Sequence, residues 1–521
     1  MTIAPSRDSG SPTGSAAAET AAGRSGAAYD RADWASSFRN VLGELDQVPL
    51  VAARGTIPPD LAGSLYRNGP GRLERGGHWL HHPFDGDGMI TALRFGAGQA
   101  VLTNRYVRTE GWLEEEAAGR FLYRGVFGSQ KPGGLLANAF DLRMKNIANT
   151  HVVRLGDQLL ALWEASSPHA LDPDTLETRG LTLLDGVLGK GEAFSAHPRF
   201  DPGHHGEARM VTFGVKAGPR STIRLMEFAA SGPRAGQLLA DRHDSVAGFA
   251  FLHDFAITPR YAVFLQNAVA FNPLPFMAGL KGAAQCLASK PGEQGHFLIV
   301  PRPGATAAGD SAEATAPIVV PAPEGFVFHH LNAFEDAATG ELVVDSIFYD
   351  DFPSIDPGVD FRAVDFDTLP AGRLVRTRID LEHRTAASTV LEERCCEFAM
   401  VNPERQGLDA RYGWTAVAEC ERGNAPLQAI EKLDLHTGER RVWSAAPRSF
   451  VSEPVMVPRP ATATSAPRAE DDGWVLNLVW NGARCASDLV ILHAADLSEQ
   501  AVLELPLAIP YGLHGSWAPL G

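Results

Sequence analysis

Read as a pattern, the chain from Trp34 onward is a succession of short apolar runs broken by Gly, Pro and Asp. GSLYRNGPG (63–71), QLLALWEA (158–165), YAVFLQNAVAF (261–271), ELVVDSIFYD (341–350) and WVLNLVWN (474–481) are typical. These runs are rich in β-branched and aromatic residues and often alternate, so they predict β-strands closed by turns. Amphipathic stretches of helical period are scarce, and RADWASSFRNVLGEL (31–45) is the clearest predicted helix. Many short strands with regular turn signals predict an all-β sandwich, barrel or propeller. No repeat of 20 to 50 residues is visible at the level of motifs, which argues against the common repeat-built propellers.

The first thirty residues break this pattern. They are rich in Ser, Gly and Ala and nearly free of large apolar groups, so residues 1–30 are expected to form a disordered tail ahead of one large domain, 31–521. The tail lacks the apolar core of a secretory signal, and Asp8 and Glu19 weaken a transit-peptide reading. Two Ala/Pro/Thr-rich stretches, 303–317 and 458–472, interrupt the strand pattern and are expected as surface loops, because strand-like text resumes directly after each.

Composition then narrows the function. The chain has 521 residues and a formal net charge of −16, which disfavours nucleic acid as a partner, since phosphate binding needs a basic face. No apolar run is long enough to span a bilayer. Five cysteines, with Cys395 and Cys396 adjacent, suit free thiols in a reducing compartment better than a disulfide framework. The expectation is a cytoplasmic protein, and any metal it holds is not held by sulfur.

Candidate chemistry rests on histidine. His197 (SAHPRFDP), His253 (GFAFLHDFAITP), His329 (FVFHHLNAFED) and His514 (PYGLHGSWA) each sit beside a strand-like run, flanked by turn-forming or aromatic residues. The chain has 17 histidines, most histidines in any protein are surface or core residues, and spacing alone is a weak signal. Three glutamates strengthen it. Glu164, Glu397 and Glu453 stand in apolar, strand-like text where a charge needs a partner, and a metal-bound imidazole usually donates its second N–H to such a carboxylate. The competing reading of each is a structural pairing with arginine or a backbone N–H.

LYRNGPG, HPFDGDGMI, KNIANTHVV, LLALWEA, SAHPRFDP, FLHDFAIT, FHHLNAFED, EPVMVPRP, EDDGWVL and PYGLHGSW, in this order, resemble the carotenoid cleavage oxygenase family from about Trp34 to the C-terminus. YRGVFGSQKPGG and KNIANT are similar to its apocarotenoid-cleaving branch. The resemblance implies a seven-bladed β-propeller, with loops and a few short helices forming a cap over an axis that bears one Fe(II) per subunit. It implies His197, His253, His329 and His514 as ligands, with Glu164, Glu397 and Glu453 behind them. Successive strand side chains face opposite ways, so only one histidine of the His329–His330 pair points to the axis, and the family pattern selects His329. Thr150 matches a threonine beside an open iron position, and His493 stands where relatives carry Asp.

The implied activity is O2-dependent cleavage of a C=C bond in an apocarotenal or apocarotenol, at the 15,15′ bond to give retinal. Cleavage of stilbenes or full-length carotenoids, a hydrolase or isomerase on a propeller, and a non-catalytic carotenoid-binding propeller are the alternatives. A hydrophobic polyene calls for an apolar tunnel, for which Phe127, Trp163, Phe249 and Phe251 are candidate lining residues. Trp163 stands where stilbene-cleaving relatives carry Lys, which favours a polyene over a phenol. The apolar segment 269–284, punctuated by Pro and Gly, has two readings, a patch in peripheral contact with a membrane or a buried loop.

Overall fold

The computed structural model describes residues 29–520 apart from 205, 291, 304–315, 356–357, 462–467 and 510. Seven sheets stand around one axis. Blade one holds, from the axis outward, Gly515–Pro519, Gly63–Arg72, Asp87–Gly96, Gln99–Tyr106 and Leu45–Leu50. Blades two to six begin with the inner strands His151–Leu155, Arg199–Asp201, Ala256–Ile257, Phe326–Glu335 and Cys396–Val401. Blade seven carries Ser449–Val451 and Val455–Pro458 side by side on Gly473–Asn481, and Ala52–Gly55 forms its outer edge. The ring is sealed twice, because the C-terminal strand completes the first blade and an N-terminal strand completes the last. Within every blade the ladders are antiparallel.

The core is distributed as wedges between neighbouring sheets. Leu65 and Leu93 of blade one meet Leu476 and Ile491 of blade seven. Val153 and Leu160 of blade two meet Met210 and Phe228 of blade three, and corresponding clusters fill the other gaps. A central strand is therefore largely apolar on both faces, which is why Leu342–Tyr349 is buried along its whole length and is interrupted only by Asp345 and Ser346. Seven blades built from dissimilar sequences explain why the fold leaves no motif-level repeat. The five cysteines are free thiols.

Three long excursions leave the blades and cover one end of the axis. Residues 107–150 join blades one and two and carry the helices Glu110–Ala118 and Gly134–Asn138. Residues 267–295 interrupt blade four with the helix Pro273–Met277, and 350–372 interrupt blade five. The helix expected over 31–45 is shorter, Arg31–Ser36. Ser36 and Ser37 hydroxyls donate to the carbonyls of Asp33 and Trp34, turning the chain out of the helix. Trp34 and Phe38 then pack with Phe361, Phe450 and Tyr511, so tertiary packing overrides the helical pattern. The expected tail lies outside the described residues up to residue 28. Tyr29 and Asp30 are ordered, since Tyr29 packs on Phe366 and Asp30 caps the helix. Most of the first Ala/Pro/Thr-rich stretch, 304–315, and residues 462–467 of the second also lie outside the described residues. No described helix is long and apolar enough to cross a membrane.

Trp414 is fully buried in blade six, and its indole N–H donates to the Ala494 carbonyl of blade seven at 3.1 Å. Trp414→Ala is expected to cost about 3–5 kcal/mol of stability, measured as a fall in the thermal midpoint.

Candidate metal centre

The four histidines all stand where the chain enters an innermost strand. His197 precedes Arg199–Asp201 by two residues, His253 precedes Ala256–Ile257 by three, and His514 immediately precedes Gly515–Pro519. His329 lies inside Phe326–Glu335, where the ladder register shifts between Val327 and His330. Such a bulge re-aims a side chain. The result is convergence: one nitrogen from each of the four imidazoles falls within a set whose members all lie within 4.8 Å of one another. His197 Nε2 and His253 Nε2 are 3.0 Å apart. Imidazole nitrogens about 2.1 Å from a shared ion and at right angles stand about 3 Å apart. His329 Nε2 is buried without a hydrogen-bond partner, which a cation at this point would supply.

His330 faces away, as strand alternation requires. Its Nδ1 is 2.7 Å from Ser346 Oγ in its own blade, and its backbone N–H donates to Asp254.

Each of the three expected glutamates meets a different histidine. His329 Nδ1 is 2.6 Å from Glu397 Oε2, and His514 Nδ1 is 2.9 Å from Glu453 Oε1. His253 Nδ1 lies 2.7 Å from Glu164 Oε2, but too far off line for a hydrogen bond. His197 has no carboxylate partner among the described residues. With Nδ1 turned to a carboxylate, Nε2 is left to face the common point.

The glutamates differ in what balances them. Glu453 accepts from Arg67 at 2.7 Å and from the Gly515 N–H. Burial pushes its carboxyl up, yet His514 and Arg67 outweigh that and hold it down at about 2. Glu397 is also buried, and His329, the Tyr349 hydroxyl at 2.5 Å and the Phe398 N–H keep it below its usual value. Glu164 is the most exposed of the three. Burial, joined by the neighbouring histidines, pushes His197 well down, and burial pushes His514 to about 4, so these rings are neutral near pH 7 with a lone pair free for a cation. For His329 burial acts the same way, but the Glu397 charge wins and raises it.

A cavity of about 700 Å³ opens beside this point and is bounded by the three cap excursions. His253, His329, His514, Glu164 and Glu397 form part of its wall, and Phe127, Trp163, Phe249 and Phe251 all line it, joined by Phe271 and Phe328. No lysine or arginine is among the lining residues. Thr150 is on the same wall, and its hydroxyl donates to Asn149 Oδ1 at 3.2 Å. Of the segment 269–284, Leu274 and Leu280 are exposed, whereas Gly282 and Ala284 are buried, so neither expectation holds for its whole length. His493 sits at a surface turn beside Asp496.

Several residues of the site carry no signal of their own in the sequence. Arg67 lies within LYRNGPG, 386 positions from Glu453. His151 places its Nδ1 2.9 Å from the Ala196 carbonyl and its Nε2 3.1 Å from that of Gly515, next to two of the converging histidines. Phe398 packs on the rings of His329 and His514 with φ at 58°, a left-handed backbone that a bulky residue rarely adopts outside functional sites.

The comparisons with known proteins agree with this architecture. The family model described as "Retinal pigment epithelial membrane protein" matches residues 38–519. The chain is 46% identical to the apocarotenoid-15,15′-oxygenase of Synechocystis over 94% of its length and 97% of that protein's. It is 31% identical to resveratrol cleavage oxygenase 1 of Aspergillus fumigatus, covering 92% of this chain and 93% of that one. It is 30% identical to lignostilbene-α,β-dioxygenase isozyme III of Sphingomonas paucimobilis, covering 89% and 92%. The solved structure of cobalt-substituted Synechocystis apocarotenoid oxygenase superposes with a TM-score of 0.89 at 44% identity, covering 94% of this chain and 99% of that one. With its fold, its converging histidines and these matches in agreement, the chain belongs to the retinal pigment epithelial membrane protein family, the carotenoid cleavage oxygenases.

Proposed function

We propose that His197, His253, His329 and His514 hold one Fe(II) ion, and that this protein is a dioxygenase cleaving a C=C bond of an apocarotenoid at the 15,15′ position to give retinal. The observation that carries this reading is the convergence of four imidazoles, three of them on the wall of an apolar cavity. Imidazole ligands suit iron, and the charges support a dication. Three carboxylates and the Arg67 guanidinium leave two negative charges at the site, which one divalent ion balances. Bound Fe(II) would supply the electrons that O2 needs before it adds to an alkene. The sum is one C=C and one O2 consumed for two carbonyls formed, so no side-chain acid, base or nucleophile enters the balance.

The chain's own residues bind, orient and exclude. The phenylalanines and Trp163 take a polyene out of water, a transfer favourable by about 25 cal/mol per Å² of apolar surface. Glu397 and Glu453 orient the rings of His329 and His514 and oppose the ion's charge. Thr150 lines the cavity with its hydroxyl bonded to Asn149, so its bulk would limit access to the metal. Stilbenes, named for two of the relatives, present phenols, and the absence of lysine from the described cavity wall favours a polyene.

Delivery of such a substrate accords with an exposed apolar surface. Leu135, Leu136, Phe140 and Leu142 stand out beside Leu274 and Leu280, Leu136 being 95% exposed and Phe140 79%. The two segments join through the Phe140 N–H and the Met277 carbonyl at 2.8 Å. Met144 is both exposed and part of the cavity wall, which favours an entrance at this patch. Peripheral contact with a lipid surface through the patch is therefore part of this reading.

Two measurements test it. Fe(II)-loaded protein in mild detergent, given an apocarotenal, is expected to form retinal only when O2 is present. His329→Ala should lower product by about 100-fold or more together with bound iron. Intact substrate at full iron occupancy would overturn the assignment. For the patch, co-sedimentation with phosphatidylcholine vesicles should fall at least tenfold in Leu136→Ser/Phe140→Ser, since each large apolar side chain contributes about 1.5–3 kcal/mol when buried. Turnover in detergent should be unchanged, and equal sedimentation of variant and parent would refute the membrane contact.

A further inference from the structure

The histidines of blades three, four and five belong to three separate sheets. No ladder hydrogen bond joins the strands that carry them, so ladder pairing does not set how far apart their imidazoles stand. Outside the cavity lining, one ion pair bridges all three. Arg199 is two residues past His197. Its Nε donates to the Phe255 carbonyl at 2.8 Å, and its Nη2 donates to the His330 carbonyl at 2.7 Å and to Asp254 Oδ2 at 2.5 Å. Asp254 Oδ2 also accepts the His330 N–H at 2.8 Å. The Asp254 side chain is buried, at 1% exposure, and Arg199 is partly buried, at 16%. Each contact lands on a residue within two positions of His253 or adjacent to His329.

A guanidinium is suited to this task. It offers several donors in one rigid plane, and here they take a carboxylate and two carbonyls belonging to two other blades. Charge-assisted hydrogen bonds of this kind are the strong ones. The fourth histidine is held separately: Arg67, paired with Gly515 in blade one, donates to the Leu513 carbonyl and to Glu453.

We propose that the Arg199–Asp254 pair is a positioning device for the metal centre, a clamp that fixes the relative placement of His197, His253 and His329. The inference rests on the reading of the four histidines as metal ligands. It assigns Arg199 and Asp254 no contact with substrate or metal; they act through the backbone of the strands. Without the clamp the three strands remain in their blades, but the nitrogens spread, and metal affinity and the ligand field change while the cavity does not.

The test uses full-length protein and three variants, Asp254→Asn, Arg199→Met and Arg199→Lys, with Arg376→Met as control. Arg376 pairs with Asp345 across two strands of one blade and donates to the Leu435 carbonyl of the next, none of these being a neighbour of a converging histidine, so its loss samples the general effect of breaking an ion pair with an inter-blade hydrogen bond. Three quantities are read: the dissociation constant for Fe(II), the visible absorption of the Co(II)-substituted protein, and kcat with KM. For Asp254→Asn and Arg199→Met we expect Fe(II) affinity to fall about tenfold or more, an altered Co(II) band and lower kcat at unchanged KM. Arg199→Lys should recover part of the affinity, because an ammonium keeps the charge but not the planar fork. Arg376→Met should lower the thermal midpoint and leave the Co(II) band as in the parent. Variants that stay folded, with parental Fe(II) affinity and Co(II) band, would overturn the clamp. A thermal loss matching that of Arg376→Met with no spectral change would also overturn it, reducing the pair to a structural role. A parent that takes up neither metal would instead overturn the metal assignment, and the two failures are thus distinct.

Discussion

The pairing of Gly515–Pro519 with Gly63–Arg72 is the contact on which the rest depends. It joins the last strand of the chain to one of the first and closes seven sheets into a ring. His514 immediately precedes this strand, and Arg67 pairs directly with Gly515. Ring closure and completion of the histidine set are therefore one event: the fourth imidazole arrives only when the last blade is sewn to the first. Ala52–Gly55, which edges blade seven, gives the same closure a second seam.

The inner strands of neighbouring blades belong to different sheets, so ladder hydrogen bonds do not fix their spacing. Around the axis the structure uses buried charge instead. Arg67 bridges blades one and seven through Glu453, and Arg199 bridges blades three, four and five. Such groups are costly to bury unless every charge is met. Their directional bonds suit a place where four side chains must converge to within a few ångströms.

The three glutamates are not equivalent. Glu453 is neutralised by an arginine, Glu397 is held by a hydroxyl and a backbone N–H, and Glu164 faces the cavity with His253 as its neighbour. The negative charge around the centre is thus graded, heaviest toward the cavity side, where Glu164 and Glu397 sit on the wall beside the space for substrate. His197, the one ring without a carboxylate, is also absent from that wall.

Much of this was legible in the sequence. The strand-rich pattern and the scarcity of helix follow from local alternation and turn residues. His197, His253, His329 and His514 stood out with Glu164, Glu397 and Glu453 because each is a polar group placed in apolar, strand-like text, and strand alternation already separated His329 from His330. What the pattern does not encode is which partner each group meets. The pairing of Glu397 with His329 and of Glu453 with His514 spans more than sixty positions, and that of Arg67 with Glu453 spans 386. Arg199, Asp254 and His151 looked like ordinary polar residues beside a strand. Residues 31–45 read as a helix because periodicity is local, whereas the chain left the helix after Ser36 to place Phe38 against Phe361 and Tyr511. Sequence alone determined the element types and singled out the candidate histidines and glutamates, since both depend on side-chain chemistry and near neighbours. Only the tertiary structure decided who meets whom at the axis, because those contacts exist solely once distant strands are brought together by closure of the ring.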